Sequence, residues 1–503
     1  MADGLVGIDI GTSSVKVLIV RPDGHVLGQA SRPYETCSPR AGWAEQDPDV
    51  WVVQTYAATA DALRAAQAQD RSLVVRSVGF TGQMHSFVLL DADGAAIRPA
   101  ITWMDSRAHE LVPEATRLIE SHALLERVQN LPAPGLTLLP LLWLARNEPE
   151  SVKQTRALLL AKDYVRYRMT GRIATDTTDA SGTLLMDMPR RAWLTEIGAV
   201  PGIPAHILPD ILEPWEQAGL TLGLPVELKQ IEGIPAAAGS ADQQAAALAN
   251  GILSDGQVQI MLGTGSQIAT PVSECPRVFR RTLNVFCHHT GWLLQGSIQN
   301  AGSALSWIKK LLGADWSEFE TADLRVEAAL GAASSPLFVP YLTGERTPVM
   351  NPAATGAWMG LRQSSGRSDM LYAGMEGVVF GIVDALEEVL SAMDGDDIDI
   401  KVGGGGVQSE AYLQLLADSS GRTLHVLSEP NTTAIGAALL GGVAAGVFSD
   451  LATGVASMGV QSDRTVHPDI RRHHTLIERR GQWAKAVETL YPRERIEDSR
   501  TRS

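Results

Sequence analysis

Cysteine is scarce in this chain. Cys37, Cys275 and Cys287 are the whole set in 503 residues, an odd number with no metal-type spacing between them. A disulfide scaffold and a thiolate metal site are therefore excluded, and the three read as free thiols in a reducing cytoplasm. No stretch of about 18 residues runs without a polar break, which argues against a membrane-spanning helix. There is no Lys/Arg-rich run and the net charge is −15, so nucleic acid and anionic membranes are poor partners. The chain is expected to enter a strand directly, without the basic and apolar regions of a signal peptide. Nor is a basic helix-turn-helix expected ahead of that strand, which counts against a sugar-responsive transcription regulator. The GxSxG elbow, the GxGxxG fingerprint and His/Cys clusters are missing too, which removes support for hydrolase, dinucleotide and zinc chemistry.

What is present is organised around residues 5–20, LVGIDIGTSSVKVLIV. Val6, Ile8 and Ile10 on one arm and Val15, Val17 and Ile19 on the other alternate with the period of a β-hairpin. Asp9 interrupts the first arm just before the turn Gly11-Thr12-Ser13-Ser14. Backbone N–H groups and hydroxyls of such a turn can wrap phosphate oxygens, and a carboxylate beside it can hold Mg²⁺, usually through water. An ordinary polar hairpin turn is the alternative. An echo favours the first reading: residues 259–270, QIMLGTGSQIAT, repeat apolar arm, Gly-Thr turn and apolar arm, without the acid. Two such hairpins suggest two similar domains gripping a nucleotide phosphate chain between their turns.

Length agrees, since 503 residues exceed one core and predict two domains of roughly 250 residues. Asp47 and Pro48 open a helix running to about Gln69. Strands follow over Val74–Phe80 and Phe87–Leu90. Residues 105–170 read as mainly helical, with Trp143, Tyr164 and Tyr167 in the core. Residues 171–235 read as short elements of an inserted subdomain. The Ala-rich helix Asp242–Asn250, closed by Gly251, places a domain boundary near 250. The second domain, 251–455, is expected to carry helices over 301–331 and 369–394. A strand at Ile398–Val402, a helix from Ser409 to Gly421 and a small-residue helix over Ala434–Ala445 complete it. Residues 456–503 are expected to be a charged helical tail packed on the outside. Strands followed by helices describe an α/β fold with mixed sheets.

Several residues carry candidate chemistry. Asp242 opens a helix, where the dipole and free N–H groups would keep it ionised at pH 7. A kinase of small hydroxyl compounds needs such a carboxylate as proton acceptor; a plain N-cap is the other option. Gly403–Gly406 end a strand and would let backbone approach a flat ring or phosphate, or simply form a tight turn. Trp103, Asp105 and Arg107, spaced by two, suit hydrogen bonding to a polyol with the indole against carbon, or a surface ion pair beside a buried Trp.

Taken together, the motifs resemble the FGGY family of carbohydrate kinases in the actin-like ATPase superfamily, over nearly all of residues 4–445. The segments are GIDIGTSSVKV (7–17), WAEQDP (43–48), GQMH (82–85), TWMDSR (102–107), KDYVRYRMTG (162–171) and TDASGT (178–183). LGTGS (262–266), LTGERTP (342–348), GLRQ (360–363), GGGG (403–406) and SEAYLQLLAD (409–418) continue the series. The resemblance implies two ribonuclease-H-like domains with ATP in the cleft between them. It makes Asp9 the Mg²⁺-associated acid and Asp242 the general base. Gly11, Thr12, Ser13 and Lys16 would approach the terminal phosphates, with Gly263, Thr264 and Gly265 on the other side. Gly404, Gly405 and Gly406 would flank adenine and ribose, and Met84, His85, Trp103 and Gln243 would line the sugar pocket. The nearest branch phosphorylates D-xylulose to D-xylulose 5-phosphate. Ribulose, sedoheptulose, glycerol or gluconate are alternatives, as is an actin-like nucleotide-dependent binding module. Three positions depart from that branch: Gln243 stands where Asn is usual, Pro140 replaces a Lys, and Gly265-Ser266 inverts a Ser-Gly order. These bear on the sugar more than on the reaction. The sequence does not set the oligomeric state; a homodimer is one option.

Overall fold

The computed structural model describes residues 3–121, 124–194, 196, 202–277, 279–327, 336–393 and 397–492. Its first sheet is built on strand Asp3–Ile10, paired antiparallel with Ser14–Val20 and parallel with Val74–Gly82. Val26–Pro33 extends it on one side, and Pro235–Ala237 and Gln217–Leu220 on the other. The second sheet repeats this plan. Gln257–Leu262 pairs antiparallel with Ser266–Val272 and parallel with Asp399–Gly403. The doubled hairpin in the sequence is thus a doubled sheet.

The period of two sorts the first strand's side chains onto two faces. Val6, Ile8 and Ile10 pack with Trp51 and Ala62 of helix Pro48–Gln69. Leu5, Gly7 and Asp9 point the other way, where Leu5 joins Leu18 and Val20 against Ala434, Ile435 and Ala438. Those last three belong to helix Thr432–Ala444. The central strand is therefore covered on both sides and shows no polar-out alternation. Gly7 and Gly79 lie side by side in register, and the helix backbone rests on them. A Cβ on Gly7 would stand 1.9 Å from the Ala434 carbonyl oxygen, and one on Gly79 1.7 Å from that of Ala437. On its other flank the same helix meets helix Asp242–Ala249, where a Cβ on Gly436 would stand 2.0 Å from the Ala245 oxygen. A helix late in the chain thus closes the first sheet.

Some elements differ from the sequence expectation. Ala157–Leu160 lies inside the stretch read as helical but is a strand paired with Phe87–Leu90; Ala and Leu favour helix, and burial in a sheet overrides them. Asn284–His288 and Gly291–Ile298 form a hairpin on the edge of the second sheet. Arg464–Val466, in the stretch read as a helical tail, pairs with Leu424–Val426. Beyond it, helix Ile470–Leu490 buries Trp483, whose indole N–H donates to the Phe338 carbonyl at 2.7 Å. The parts of the expected helices at 328–331 and 394, and of the tail at 493–503, lie outside the described residues. Tyr164 is fully buried, and Trp143 packs edge-on against Trp43.

Candidate active site

The candidate residues collect at the carboxyl ends of parallel strands, where α/β sheets bind ligands. Asp9 is paired with Thr81, and Thr81 with Ser240, across three parallel strands. Asp242 follows two residues later, at the start of its helix. At about 4.8 Å per strand, the strands that lead to the two carboxylates lie roughly 10 Å apart, on either side of Val74–Gly82. Asp9, buried on the face that meets helix Thr432–Ala444, accepts a hydrogen bond at Oδ2 from the Thr433 hydroxyl at 2.7 Å. Burial pushes the pKa of Asp9 up, against the Thr433 bond and the charge of Lys16 directly across the hairpin. Asp242 is half-buried. Burial first, and then the charge of Asp9, push its pKa up to about 7, against the Gln243 N–H donated at 2.7 Å. The expectation that the helix start keeps Asp242 fully ionised at pH 7 is thereby corrected: desolvation and the neighbouring acid outweigh it.

The turn after Asp9 is braced from below. Gly11 N–H donates to the Ser14 carbonyl at 3.1 Å, and the Tyr34 hydroxyl bonds the Gly11 carbonyl. Gln46 donates to the Thr12 carbonyl at 2.7 Å and accepts from Trp51 at 3.0 Å and Gln83 at 3.1 Å. Ser13 and Lys16 are exposed and Thr12 is half-buried. Trp103 is 44% exposed, so its ring faces open space, while its indole N–H donates to the Thr12 hydroxyl at 3.0 Å. Trp103 and the turn Gly11-Thr12-Ser13 are therefore physically tied. Asp105 and Arg107 are not at the surface. They form a buried pair that also engages Glu45, with the guanidinium 3.7 Å over the Trp43 ring. The pair supports the loop carrying Gln46.

His85 sits at φ +67°, and its Nδ1 lies 2.8 Å from the Gly182 carbonyl. Burial pushes its pKa down to about 4, so the ring is neutral at pH 7, Nδ1 carries the proton to that carbonyl, and Nε2 is an acceptor suited to a hydroxyl. Met84 packs with Ala241, next to Asp242, and with Phe286 of the second sheet. Gln243 is half-buried beside Asp242.

On the second sheet, Gly263 and Thr264 are exposed at the hairpin turn, with Gly265 half-buried. The turn closes through Gly263 N–H to the Gly265 carbonyl at 2.9 Å, and the Ser303 N–H of the next helix donates to the Thr264 carbonyl at 2.8 Å. Met261 pairs with Gly403, which places Gly404, Gly405 and Gly406 beside this turn. Gly404 has φ +90°, and a Cβ on Gly405 would meet open space. The Thr433 bond to Asp9 joins the two halves, since helix Thr432–Ala444 follows the strand next but one to Gln257–Leu262. Phe286 makes a second bridge. Sequence reasoning missed Gln46, Phe286 and Thr433; only Gln46, inside WAEQDP, stood in a segment already singled out.

Two like sheets whose glycine turns flank a pair of carboxylates have the chemistry of a phosphoryl-transfer enzyme acting on a hydroxyl. Comparison with known proteins defines the class. The model of the FGGY family of carbohydrate kinases, N-terminal domain, matches residues 5–249, and that of its C-terminal domain matches 258–445. The xylulose kinase of Bacillus subtilis (strain 168) is 34% identical over 452 residues, 89% of each chain. That of Escherichia coli (strain K12) is 33% identical over 493 residues, 97% of this chain and 99% of its own. The crystal structure of a xyloylose kinase from Brucella ovis superposes with a TM-score of 0.88 at 31% identity, covering 97% of this chain and 99% of that one. The chain belongs to the FGGY family of carbohydrate kinases. It is a sugar phosphotransferase, and the family implies ATP as phosphoryl donor. Among the described residues no helix is long and apolar enough to cross a membrane.

Proposed function

We propose that the protein is a cytoplasmic D-xylulose kinase that transfers the γ-phosphoryl group of ATP to the terminal hydroxyl, giving D-xylulose 5-phosphate. The similarity to xylulose kinases over nine-tenths of the chain supports the substrate. The observation that carries the chemistry is geometric: Asp9 and the helix start bearing Asp242 stand at the carboxyl ends of strands on either side of Val74–Gly82, beside the turn Gly11-Thr12-Ser13.

In this reading Asp242 accepts the proton of the sugar hydroxyl as its oxygen attacks phosphorus; a group poised near neutral both takes and releases a proton readily. Trp103 lies against the sugar carbons, His85 Nε2 accepts one hydroxyl, and Met84 and Gln243 complete the wall. The turns Gly11-Thr12-Ser13 and Gly263-Thr264-Gly265, with Lys16, hold the phosphates, and Gly404–Gly406 flank the adenosine. Among the described residues no group of three or more His, Cys, Asp or Glu side chains is placed to cage a metal. One or two carboxylates beside a phosphate site fit Mg²⁺, which keeps its waters and phosphate ligands. Asp9 would hold it, and the ion would supply neutralisation of phosphate charge. Closing the two halves excludes water, a competing acceptor.

The test is ADP release with a panel of D-xylulose, D-ribulose, sedoheptulose, glycerol and gluconate. D-Xylulose should give the highest kcat/KM, Asp242→Ala should abolish sugar-dependent turnover while retaining ATP binding, and Asp9→Ala should lose Mg²⁺-dependent turnover. Preference for another acceptor overturns the substrate, near-normal turnover of Asp242→Ala overturns the base, and no sugar stimulation at all points to a nucleotide-dependent binding module.

A further inference from the structure

Beneath the start of helix Asp242–Ala249 lies a group of sealed charges that the proposed chemistry does not use. Lys162 is fully buried and ion-paired with Asp163 and Asp176 at 2.6 Å each and with Asp179 at 3.0 Å. Burial works against its charge, yet the three carboxylates outweigh burial and hold its pKa above the usual lysine range. Lys162 stays a cation, and it anchors Asp176 through Oδ2. The other oxygen of Asp176 caps the short helix Thr177–Ser181, accepting from the Thr178 N–H at 2.8 Å and from the Thr178 hydroxyl. That hydroxyl in turn accepts the N–H of Ala241 at 2.9 Å. Ala241 is the residue before Asp242.

A continuous line therefore runs from a buried cation through a carboxylate and a hydroxyl to the N–H of Ala241, one peptide unit ahead of the one that carries Asp242. Every member is sealed from water. Buried charges are costly, and removing one partner strands the rest, so the line holds its geometry stiffly. Helix Asp242–Ala249 also has no side-chain cap at Ala241. The bond that Ala241 N–H donates to Thr178 orients the peptide leading into the helix, and with it the direction in which the next residue's carboxylate leaves the backbone. The strand Ser240–Ala241 is only two residues long and is paired on one side by Thr81–Gly82; the Ser240 hydroxyl, 3.3 Å from that of Thr178, donates to the Ala241 carbonyl at 3.1 Å, so Thr178 bears on both ends of Ala241.

We propose that Thr178 is a positioning residue for phosphoryl transfer: by tying the Ala241 peptide to Asp176 and Lys162 it aims the Asp242 carboxylate at the acceptor hydroxyl. The proposal rests on Asp242 being the general base. It does not touch the sugar or the nucleotide, so its signature is a loss in the chemical step with binding retained.

The test compares Thr178→Val, which keeps the shape but loses the hydroxyl, with Thr178→Ser, which keeps it. Kcat and both KM values are measured per nucleotide-binding site, counted by equilibrium titration with ATP. Misplacing a reacting group by a fraction of an ångström to an ångström costs on the order of 10- to 100-fold. Thr178→Val should lose kcat to that extent with KM for sugar and ATP within about 3-fold, and Thr178→Ser should restore kcat to within about 3-fold, by the same geometric argument. Should the valine variant fail to fold, Thr178→Ala, whose gap admits a water to the Ala241 N–H, takes its place with the same expected split. Unchanged kcat per site, a rise in KM alone, or failure of serine to restore the rate overturns the proposal. Asp242→Asn separates the two layers. If it keeps normal turnover, the base assignment itself has failed; if it is inactive while Thr178→Val is normal, only the positioning role has.

Discussion

At the scale of single residues, the burial of Asp242 near a second acid carries a cost in stability. Asp242 titrates in an unfolded chain near 3.8 and in the folded protein at about 7. The folded state therefore binds the extra proton between these values, and stability from this group falls as pH rises from about 4 to 7. Asp242→Asn removes the ionisation. It should raise unfolding free energy by roughly 1–3 kcal/mol at pH 8 and by about two-fifths of that at pH 5, while abolishing turnover. Thermal melts of the two forms at both pH values check this; a variant no more stable at pH 8 than the parent would show that the carboxylates do not repel. The legibility of these residues in the sequence follows the same physics. Asp9 and the two Gly-Thr turns are readable because a small polar turn between alternating apolar arms is a local signal. Thr433 is not, because its partner Asp9 lies 424 residues away and nothing local marks a hydroxyl that serves a distant carboxylate. The value for Asp242 was misjudged from the helix start alone, since burial and Asp9 are properties of the assembled site.

At the scale of elements, the contact that matters most is backbone against backbone. Helix Thr432–Ala444 lies on the Gly7–Gly79 pair so closely that a methyl group cannot enter. Gly79→Ala should displace the helix and cost roughly 3 kcal/mol or more, as overpacking against rigid backbone does at the upper end of its range. It should also lower turnover, because Thr433 leaves Asp9 with the helix. Urea unfolding with parallel kinetics measures both; a substitution within 0.5 kcal/mol, the size of an inert surface change, would contradict the packing. The two Gly-Thr hairpins, the capped helix from Pro48 and the helix from Glu410 with Ser409 as its cap are legible because their signals are local. The strand Ala157–Leu160 was hidden because its residues favour helix. Arg464–Val466 was hidden because three residues show no period, and it is a strand only by pairing with Leu424–Val426.

At the scale of the whole molecule, the sequence splits near residue 250 but the packing does not. Leu5, Leu18 and Val20 of the first sheet and Leu248 of the helix beside it are buried against Ala434, Ile435 and Leu439. A fragment of residues 1–250 should accordingly expose an apolar face, bind a hydrophobic dye strongly and aggregate, and recover on co-expression with residues 251–503. A monomeric, dye-silent fragment would show the first half to be self-sufficient.

The crossing helix also sets a timetable. At roughly 5–20 residues per second, a ribosome emits Thr433 roughly 20–85 s after Asp9, given the 424 residues between them. For that interval the nascent first sheet has one bare side, which is covered only when residues 432–444 emerge, late in synthesis.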